Sequence, residues 1–418
     1  LILALFFTAR AEARVYIQID QPGDKKFPIA IDNPVPVNRG ESKDWSRKMT
    51  EIIKSDLTMT GLFDIIPQEQ YPKEGNVRAP IPSAMQFPAW SVIGAQALVN
   101  GNYSNVANGM QQLEMHLYDP GMGQLLVAKT YTAKDKDYIS IAHQFADEIV
   151  LELTGERGVF STQIAYVQAS KKRKEIGVMD MDGENAHNIT KQKGILFSPA
   201  WSPDGGTIAF SYFTKAGDVE IATVPSAGGP VKAVTTNGTI NISPTYSPSG
   251  ELTIASGMNG DTELYIVDMA GQALRKLTDN YGIDVNPGWS PDGSWFVFSS
   301  ERAGRLNIFK SSADGGTIQR LTFVGTQNDN PVWSPNGQKI AFQSLAGGWD
   351  IYVMNADGSM LQRLTSNGAS ESPSWSPNGR FIAYSSNRQV TIMREDGSNP
   401  TTVGPEESLQ PTWGPWVK

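Results

Sequence analysis

"NPVWSPNGQKIAF", residues 330–342, decides the fold, because the chain keeps returning to it. An aromatic residue is followed by a turn-forming Ser-Pro-Asn-Gly and then by an apolar, strand-like run. The other versions are "SPAWSPDG" around Trp201, "SPTYSPSG" around Tyr246, "NPGWSPDG" around Trp289, "SPSWSPNG" around Trp375 and "QPTWGPW" around Trp413. The aromatics are separated by 45, 43, 44, 42 and 38 residues. A fixed period near forty marks a repeat architecture. Five of the ten tryptophans occupy this one slot, which argues for packing and against chemistry. Ser-Pro-Asp/Asn-Gly suits a type I turn: Ser at the first position, Pro presetting φ at the second, Gly tolerated at the fourth.

Each of the first five anchors leads into a strand-like run: "TIAFSY", "LTIASG", "WFVFSS", "KIAFQS" and "FIAYSS". A second run follows ("VEIATV", "ELYIVD", "LNIFKS", "DIYVMN", "VTIMRE"), then a Gly-containing turn and a short run such as "RKLTD" or "LQRLT". With the strand that carries the aromatic, each unit has four strands. Four-stranded units of this length are propeller blades. Residues 160–190 read as a unit lacking its first strand, and 410–416 as a first strand lacking the rest. Six anchors and six bodies therefore make six blades, with the C-terminal strand completing the blade that the first body begins. The expected fold is an all-β six-bladed propeller over 159–418, preceded by a small α/β domain over 14–158.

The motif is thus read as scaffold. What it leaves free is the segment ahead of each anchor: "GILFSP", "GTINISP", "GIDVNP", "TQNDNP", "SESP" and "ESLQP". The innermost strand of each blade begins there, so the six segments are expected to gather around one mouth of the central channel. Their mixture of Ile, Phe, Asn, Asp, Glu and Gln suits a protein-binding rim. Plain solvated loops are the competing reading, and the rim is favoured because propellers commonly bind at a channel mouth.

Residues 14–158 lack the repeat. "RVYIQID" and "FPIAID" alternate as short strands. Residues 41–61 read as an amphipathic helix, with Trp45, Met49, Ile52, Ile53 and Leu57 at helical spacing and Gly61 as its stop. Three strands follow, in "GAQALVNGNYS", "QQLEMHLYDP" and "QLLVAKTYT". A second helix over 135–155 places Ile141, Phe145, Ile149 and Leu153 on one face, with His143 on its wet side and Gly155 as C-cap. Ahead of all this, "LILALFFTARAEA" at 1–13 has the apolar run and the Ala11-Glu12-Ala13 ending of a secretory signal, so the mature chain is expected to begin at Arg14 and to be exported. The run is far shorter than the ~20 residues that span a bilayer.

Composition removes several function classes. Net charge is −8, with 15 basic against 19 acidic residues in 1–159 and 20 against 24 in the remainder. That even acidity, with no basic face, argues against nucleic acid as a partner. There is no cysteine, hence no disulfide, thiol nucleophile or thiolate metal site. His116, His143 and His187 have no metal-ligand spacing, and no nucleophile elbow, zincin, P-loop or dinucleotide motif is present. Asp180, Asp182, Asp268, Asp314 and Asp357 sit at glycine-bearing turns, where Asp is expected for local reasons. No cofactor and no metal are expected.

Three stretches add a resemblance. "PAWSVIGAQALVNG" (88–101), "ELTGERGVFSTQIAYV" (152–167) and "PTWGP" (411–415) resemble characteristic segments of the TolB family, periplasmic components of the Tol–Pal system of Gram-negative bacteria. The likeness runs over essentially all of 14–418. It implies a non-enzymatic periplasmic adaptor, monomeric and without a membrane span. The propeller mouth would bind the peptidoglycan-associated lipoprotein Pal, and the N-terminal segment would bind the C-terminal domain of TolA. Other outer-membrane lipoproteins or porins are further partners it allows. The implied role is envelope integrity and outer-membrane constriction at cell division. Carried onto this chain, the Pal-facing positions are Ser243, Val285, Asn286, Asp329, Asn330, Ser372 and Gln410. The family often has a charged residue where this chain has Asn286. The TolA segment is 14–24, led by Arg14, Val15, Tyr16, Ile17, Gln18, Ile19 and Asp20, with strand addition as its natural mode. Two rivals stand beside this. A peptidase-like hydrolase needs a separate hydrolase module, and 14–158 hold no nucleophile motif. A lactonase-like propeller needs metal ligands converging in the channel.

Overall fold

The computed structural model describes residues 17, 26–37, 43–72, 86–171, 173–191, 194–235, 240–258 and 260–416. The expected signal remnant, 1–13, lies outside the described residues, and so does the N-terminal segment apart from Ile17. The chain divides into two compact units between Gly158 and Val159.

The first unit is a mixed sheet with helices packed on it. Strands β1 (Phe27–Ile31), β2 (Val35–Pro36), β3 (Phe63–Ile65), β4 (Ala97–Asn105), β5 (Gln111–Asp119) and β6 (Gln124–Ala133) form it in the order β3-β1-β4-β5-β6, with β2 also on β4. β1 runs parallel to β3 and β4, while β4, β5 and β6 are antiparallel. Helix α1 (Asp44–Thr60) buries Trp45, Met49, Ile53 and Leu57 and ends on Gly61 at φ 70°. A short helix, α2 (Phe87–Val92), carries the buried Trp90, whose ring meets Tyr71 edge-on at 5.0 Å. Helix α3 (Tyr138–Thr154) buries Ile141, Phe145, Ile149 and Leu153 and ends on Gly155 at φ 77°. Glycine fits both caps because only a residue without Cβ enters the left-handed region freely.

His143 departs from expectation. It is only 1% exposed, and its Nδ1 lies 2.8 Å from Asp56 Oδ2, itself buried on α1. α1 packs alongside α3 and covers the face that would otherwise be wet. A buried imidazole there needs a polar partner, and Asp56 supplies it.

The second unit is a six-bladed propeller. Blade 1 begins with Leu196–Trp201, blade 2 with Asn241–Tyr246, blade 3 with Asp284–Trp289, blade 4 with Gln327–Trp333 and blade 5 with Ser370–Trp375. Each continues through three further antiparallel strands. Blade 6 takes its inner strand, Ser408–Trp413, from the C-terminal end and pairs it with Gln163–Ala169, Thr412 opposite Ala165 and Leu409 opposite Val167. Ring closure is therefore by hydrogen bonds and packing between distant parts of the chain.

The core lies between blades. Ile340, Ala341 and Phe342 are all fully buried, because a blade is covered on both faces and its second strand needs no polar alternation. Trp375 packs between Ala341, Ile351 and Val353 of blade 4 and Ile382, Tyr384 and Met393 of blade 5. Trp201 Nε1 donates to Thr412 O of blade 6 at 3.0 Å, and Trp289 Nε1 to Thr253 Oγ1 of blade 2 at 3.0 Å. The repeated aromatic joins each blade to the one before it.

The Ser-Pro-Asp/Asn-Gly turn is tighter than the sequence implies. Ser334 Oγ donates to Asn336 Oδ1 at 2.7 Å and accepts from Lys339 N at 2.9 Å, and Gly337 N donates to Ser334 O at 2.9 Å. Gly205, Gly250, Gly293, Gly337 and Gly379 all have φ between 69° and 88°. The glycine is thus required by its backbone angle rather than merely tolerated. A Cβ at Gly337 would meet nothing nearer than Pro291 Cδ at 3.7 Å, so the cost of Gly337→Ala is conformational alone. The variant should lose roughly 1–2 kcal/mol in urea unfolding. An unchanged midpoint would show that the left-handed angle is not what the glycine supplies.

Candidate functional site

The six inner strands surround a cavity of about 160 Å³ on the propeller axis. Its wall is built from one dipeptide per blade: Ser198-Pro199, Ser243-Pro244, Asn286-Pro287, Asn330-Pro331, Ser372-Pro373 and Gln410-Pro411. In every case the residue before proline is left-handed, at φ 51°, 54°, 53°, 51°, 56° and 49° respectively. Pairing with the second strand slips at the same place in all six blades; in blade 1 Phe197 faces Ser211 and Ala200 faces Ala209. Two inner-strand residues there oppose one on the partner strand. This is a β-bulge with its first residue left-handed, a position usually given to glycine. Non-glycine residues in that region are uncommon, with Asn the most tolerant. Sixfold recurrence makes the bulge architectural, and it lines the cavity with one polar residue from every blade.

The N–H exposed by the bulge is satisfied by a different side chain in different blades. Ser198 N donates to Gln410 Oε1 at 2.9 Å, Ser372 N to Gln343 Oε1 at 2.7 Å, Gln410 N to Ser385 Oγ at 2.8 Å and Asn330 N to Asp329 Oδ1 at 2.8 Å. A further line crosses blades 2 to 4. Ser243 Oγ donates to Asn286 Oδ1 at 2.5 Å, and Asn286 Nδ2 donates to Asp329 Oδ1 at 2.8 Å.

The structure thus brings Ser243, Asn286, Asp329, Asn330, Ser372 and Gln410 together, within the inner strands rather than in loops above them. Val285 does not join them. It is 7% exposed and packs with Phe296 and Phe298 in the core between blades 2 and 3. The slot ahead of the bulge holds Phe197, Ile242, Val285, Asp329, Glu371 and Leu409 around the ring. Ile242, Val285 and Leu409 join inter-blade packing, whereas Phe197 packs on Phe213 of its own blade. Only blades 4 and 5 put a carboxylate there. Loss of hydration raises the Glu371 pKa above the ordinary range, and the charge of Asp329 raises it further. Ser198 and Glu371 were not singled out from sequence. The signal for Ser198 was its place before Pro199, the same as its five counterparts; for Glu371 it was the charge in "SESP".

Of the N-terminal segment, Arg14, Val15, Tyr16, Gln18, Ile19 and Asp20 lie outside the described residues. Ile17 N donates to Leu153 O at 2.8 Å, near the C-terminal end of α3. Helix ends leave carbonyls without intrahelical partners, and this bond satisfies one of them.

The cavity's chemistry is limited. Its volume falls below the ~300–1,000 Å³ of sites for drug-sized ligands. Among the described residues no group of three His, Asp or Glu side chains could hold a metal ion. No helix among them is long and apolar enough to cross a membrane.

A six-bladed propeller closed by its C-terminal strand, with a polar axial cavity and a preceding mixed α/β unit, defines a class of two-unit propeller proteins. Within it, this chain belongs to the TolB family: the TolB beta propeller domain model matches residues 150–417 and the TolB amino-terminal domain model matches 15–126. The Tol-Pal system protein TolB of Geobacter sulfurreducens is 34% identical over 191 residues, 46% of this chain and 43% of that protein. The protein TolB homolog of Chlorobaculum tepidum is 36% identical over 243 residues, 58% and 54% respectively. The chain thus spans about half the length of the curated relatives it matches. The crystal structure of TolB from Acinetobacter baumannii superposes with a TM-score of 0.77 at 27% identity, covering 94% of this chain and 98% of that one.

Proposed function

We propose that the protein is a non-enzymatic periplasmic adaptor of the Tol–Pal system, serving envelope integrity and outer-membrane constriction at division. The propeller face at the channel binds Pal, and the segment 14–24 binds the C-terminal domain of TolA. The observation that supports this most is the ring itself. Six bulges hold uncharged polar side chains around a cavity too small for a cofactor-sized ligand, so the surface offered suits a protein. Four of the bulge N–H groups are tied by side chains, so the ring is preorganised and little ordering entropy is lost on docking.

Calorimetric titration with the purified lipid-free Pal domain tests the reading. Asn286→Lys breaks the line from Ser243 to Asp329, and Asp329→Lys reverses the charge at its end. Each should weaken binding at least tenfold, on the scale of a truncated hot spot, with an unchanged circular dichroism spectrum. Wild-type affinity in both variants would remove this face as the Pal site. Deleting 14–24 should abolish TolA binding and spare Pal; loss of both, or of neither, would contradict the division of labour.

A further inference from the structure

Among the described residues, the chain leading into the inner strand carries exposed large apolar side chains in blades 1 to 4 and none in blades 5 and 6. Tyr281 is 94% exposed and Phe323 75% exposed, on the loops entering blades 3 and 4, and Ile240 is 53% exposed where the chain enters blade 2. The loops entering blades 5 and 6 instead carry Asn367 and Glu406. Single exposed apolar residues are ordinary, but their recurrence on the entering loops of consecutive blades marks an interaction surface.

Both aromatic loops are tied down. Next to Tyr281, Asn280 N donates to Glu263 Oε1 at 2.6 Å and Asn280 Nδ2 to Asp284 Oδ2 at 2.8 Å; both acids are buried. The Arg320 guanidinium lies 4.8 Å from the Phe323 ring centroid, and Asn328 Nδ2 donates to Val324 O at 2.7 Å. Two large rings are therefore held out in water on fixed backbone. One residue ahead of the bulges of blades 4 and 5, next to the start of the cavity lining, stand Asp329 and Glu371. Among the described residues neither has an ion pair; Asp329 accepts only from Asn286 Nδ2 and Asn330 N.

We propose that Tyr281 and Phe323 are the anchors on which a protein partner seats, and that Asp329 and Glu371 receive a lysine or arginine that it carries. The inference rests on the reading that this propeller face docks Pal, and it specifies the partner's chemistry: an apolar ridge flanked by a basic side chain. Preorganised aromatics at a desolvated patch are the commonest hot spots. The acid pair, on a chain of net charge −8, disfavours an anionic lipid surface.

The test titrates the full chain with the purified lipid-free Pal domain at low and high salt. Tyr281→Ala and Phe323→Ala should each weaken binding about tenfold and leave the melting temperature unchanged. Glu371→Gln should weaken it less and reduce its salt dependence. Wild-type affinity in both aromatic variants overturns the anchors while the docking reading stands. No binding by the unmodified chain removes that reading and the inference with it. Two further results would assign the rings to another occupant and also overturn the proposal. One is concentration-dependent self-association abolished by Tyr281→Ala in sedimentation; the other is binding to anionic vesicles lost in the same variant.

Discussion

Truncation after Glu407 should leave a propeller with no cooperative unfolding transition. The lost strand, Ser408–Trp413, is held by three blades at once. In its own blade it pairs with Gln163–Ala169, and Trp413 Nε1 donates to Thr162 Oγ1 at 2.8 Å. Toward blade 5, Trp413 stacks on Phe381 with centroids 6.3 Å apart, and Val390 N donates to Ser408 Oγ at 2.9 Å. Toward blade 1, Thr412 O accepts from Trp201 Nε1, and Gln410 Oε1 accepts from Ser198 N. Losing the Trp413 side chain alone should cost about 3–5 kcal/mol. The whole strand adds Leu409, a strand ladder and buried N–H groups left unpaired at roughly 1–3 kcal/mol each. Together these exceed most of the ~5–15 kcal/mol that separates folded from unfolded domains. Scanning calorimetry of the truncated and full chains decides it. A truncated propeller melting within a few degrees of the full chain would show that the ring does not depend on closure.

Closure was legible because the repeat announces it: a body without a first strand near residue 160, and a first strand without a body at the end. Blade number, strand order and the packing role of the tryptophans follow from the same period. The helices of the first unit were legible from spacing, but the side of α3 that carries His143 was not. Amphipathic reading assumes one buried face, and a helix lying between a sheet and another helix has two. α2 escaped because six residues are too few to show a helical period. The channel wall was legible only in part. Glycine would have advertised a left-handed angle; Ser, Asn and Gln at the six bulges do not. Val285 and Asp329 occupy one slot in neighbouring blades and were read alike, yet the slot borders inter-blade packing. Side-chain polarity then decides whether it serves core or channel.

Asp284→Ala is the other change with a large expected effect, and its size should depend on pH. Asp284 is fully buried at the start of the blade 3 inner strand. Its Oδ2 accepts from Arg302 Nη2 at 2.7 Å and from Asn280 Nδ2 at 2.8 Å. The guanidinium is enclosed by Phe298 and Phe309, at 5.1 and 5.2 Å from their centroids. Removing one partner of such a pair leaves a charge poorly compensated, at about 3–5 kcal/mol. Glu263 modifies the outcome. Burial raises its pKa, against the Thr278 hydroxyl and Asn280 N–H bonds that favour the anion, and the charge of Asp284 raises it further. A carboxyl raised in the fold contributes stability that is present below its unfolded value and lost as pH rises through the folded one. Without Asp284 that repulsion is gone, so the variant loses less stability with rising pH than the wild type. Urea unfolding from just above the ordinary carboxylate range up to neutrality should therefore show the gap between the two proteins narrowing toward pH 7. A gap that stays constant across that range would mean that the two carboxylates do not sense one another, and that Arg302 alone sets the cost.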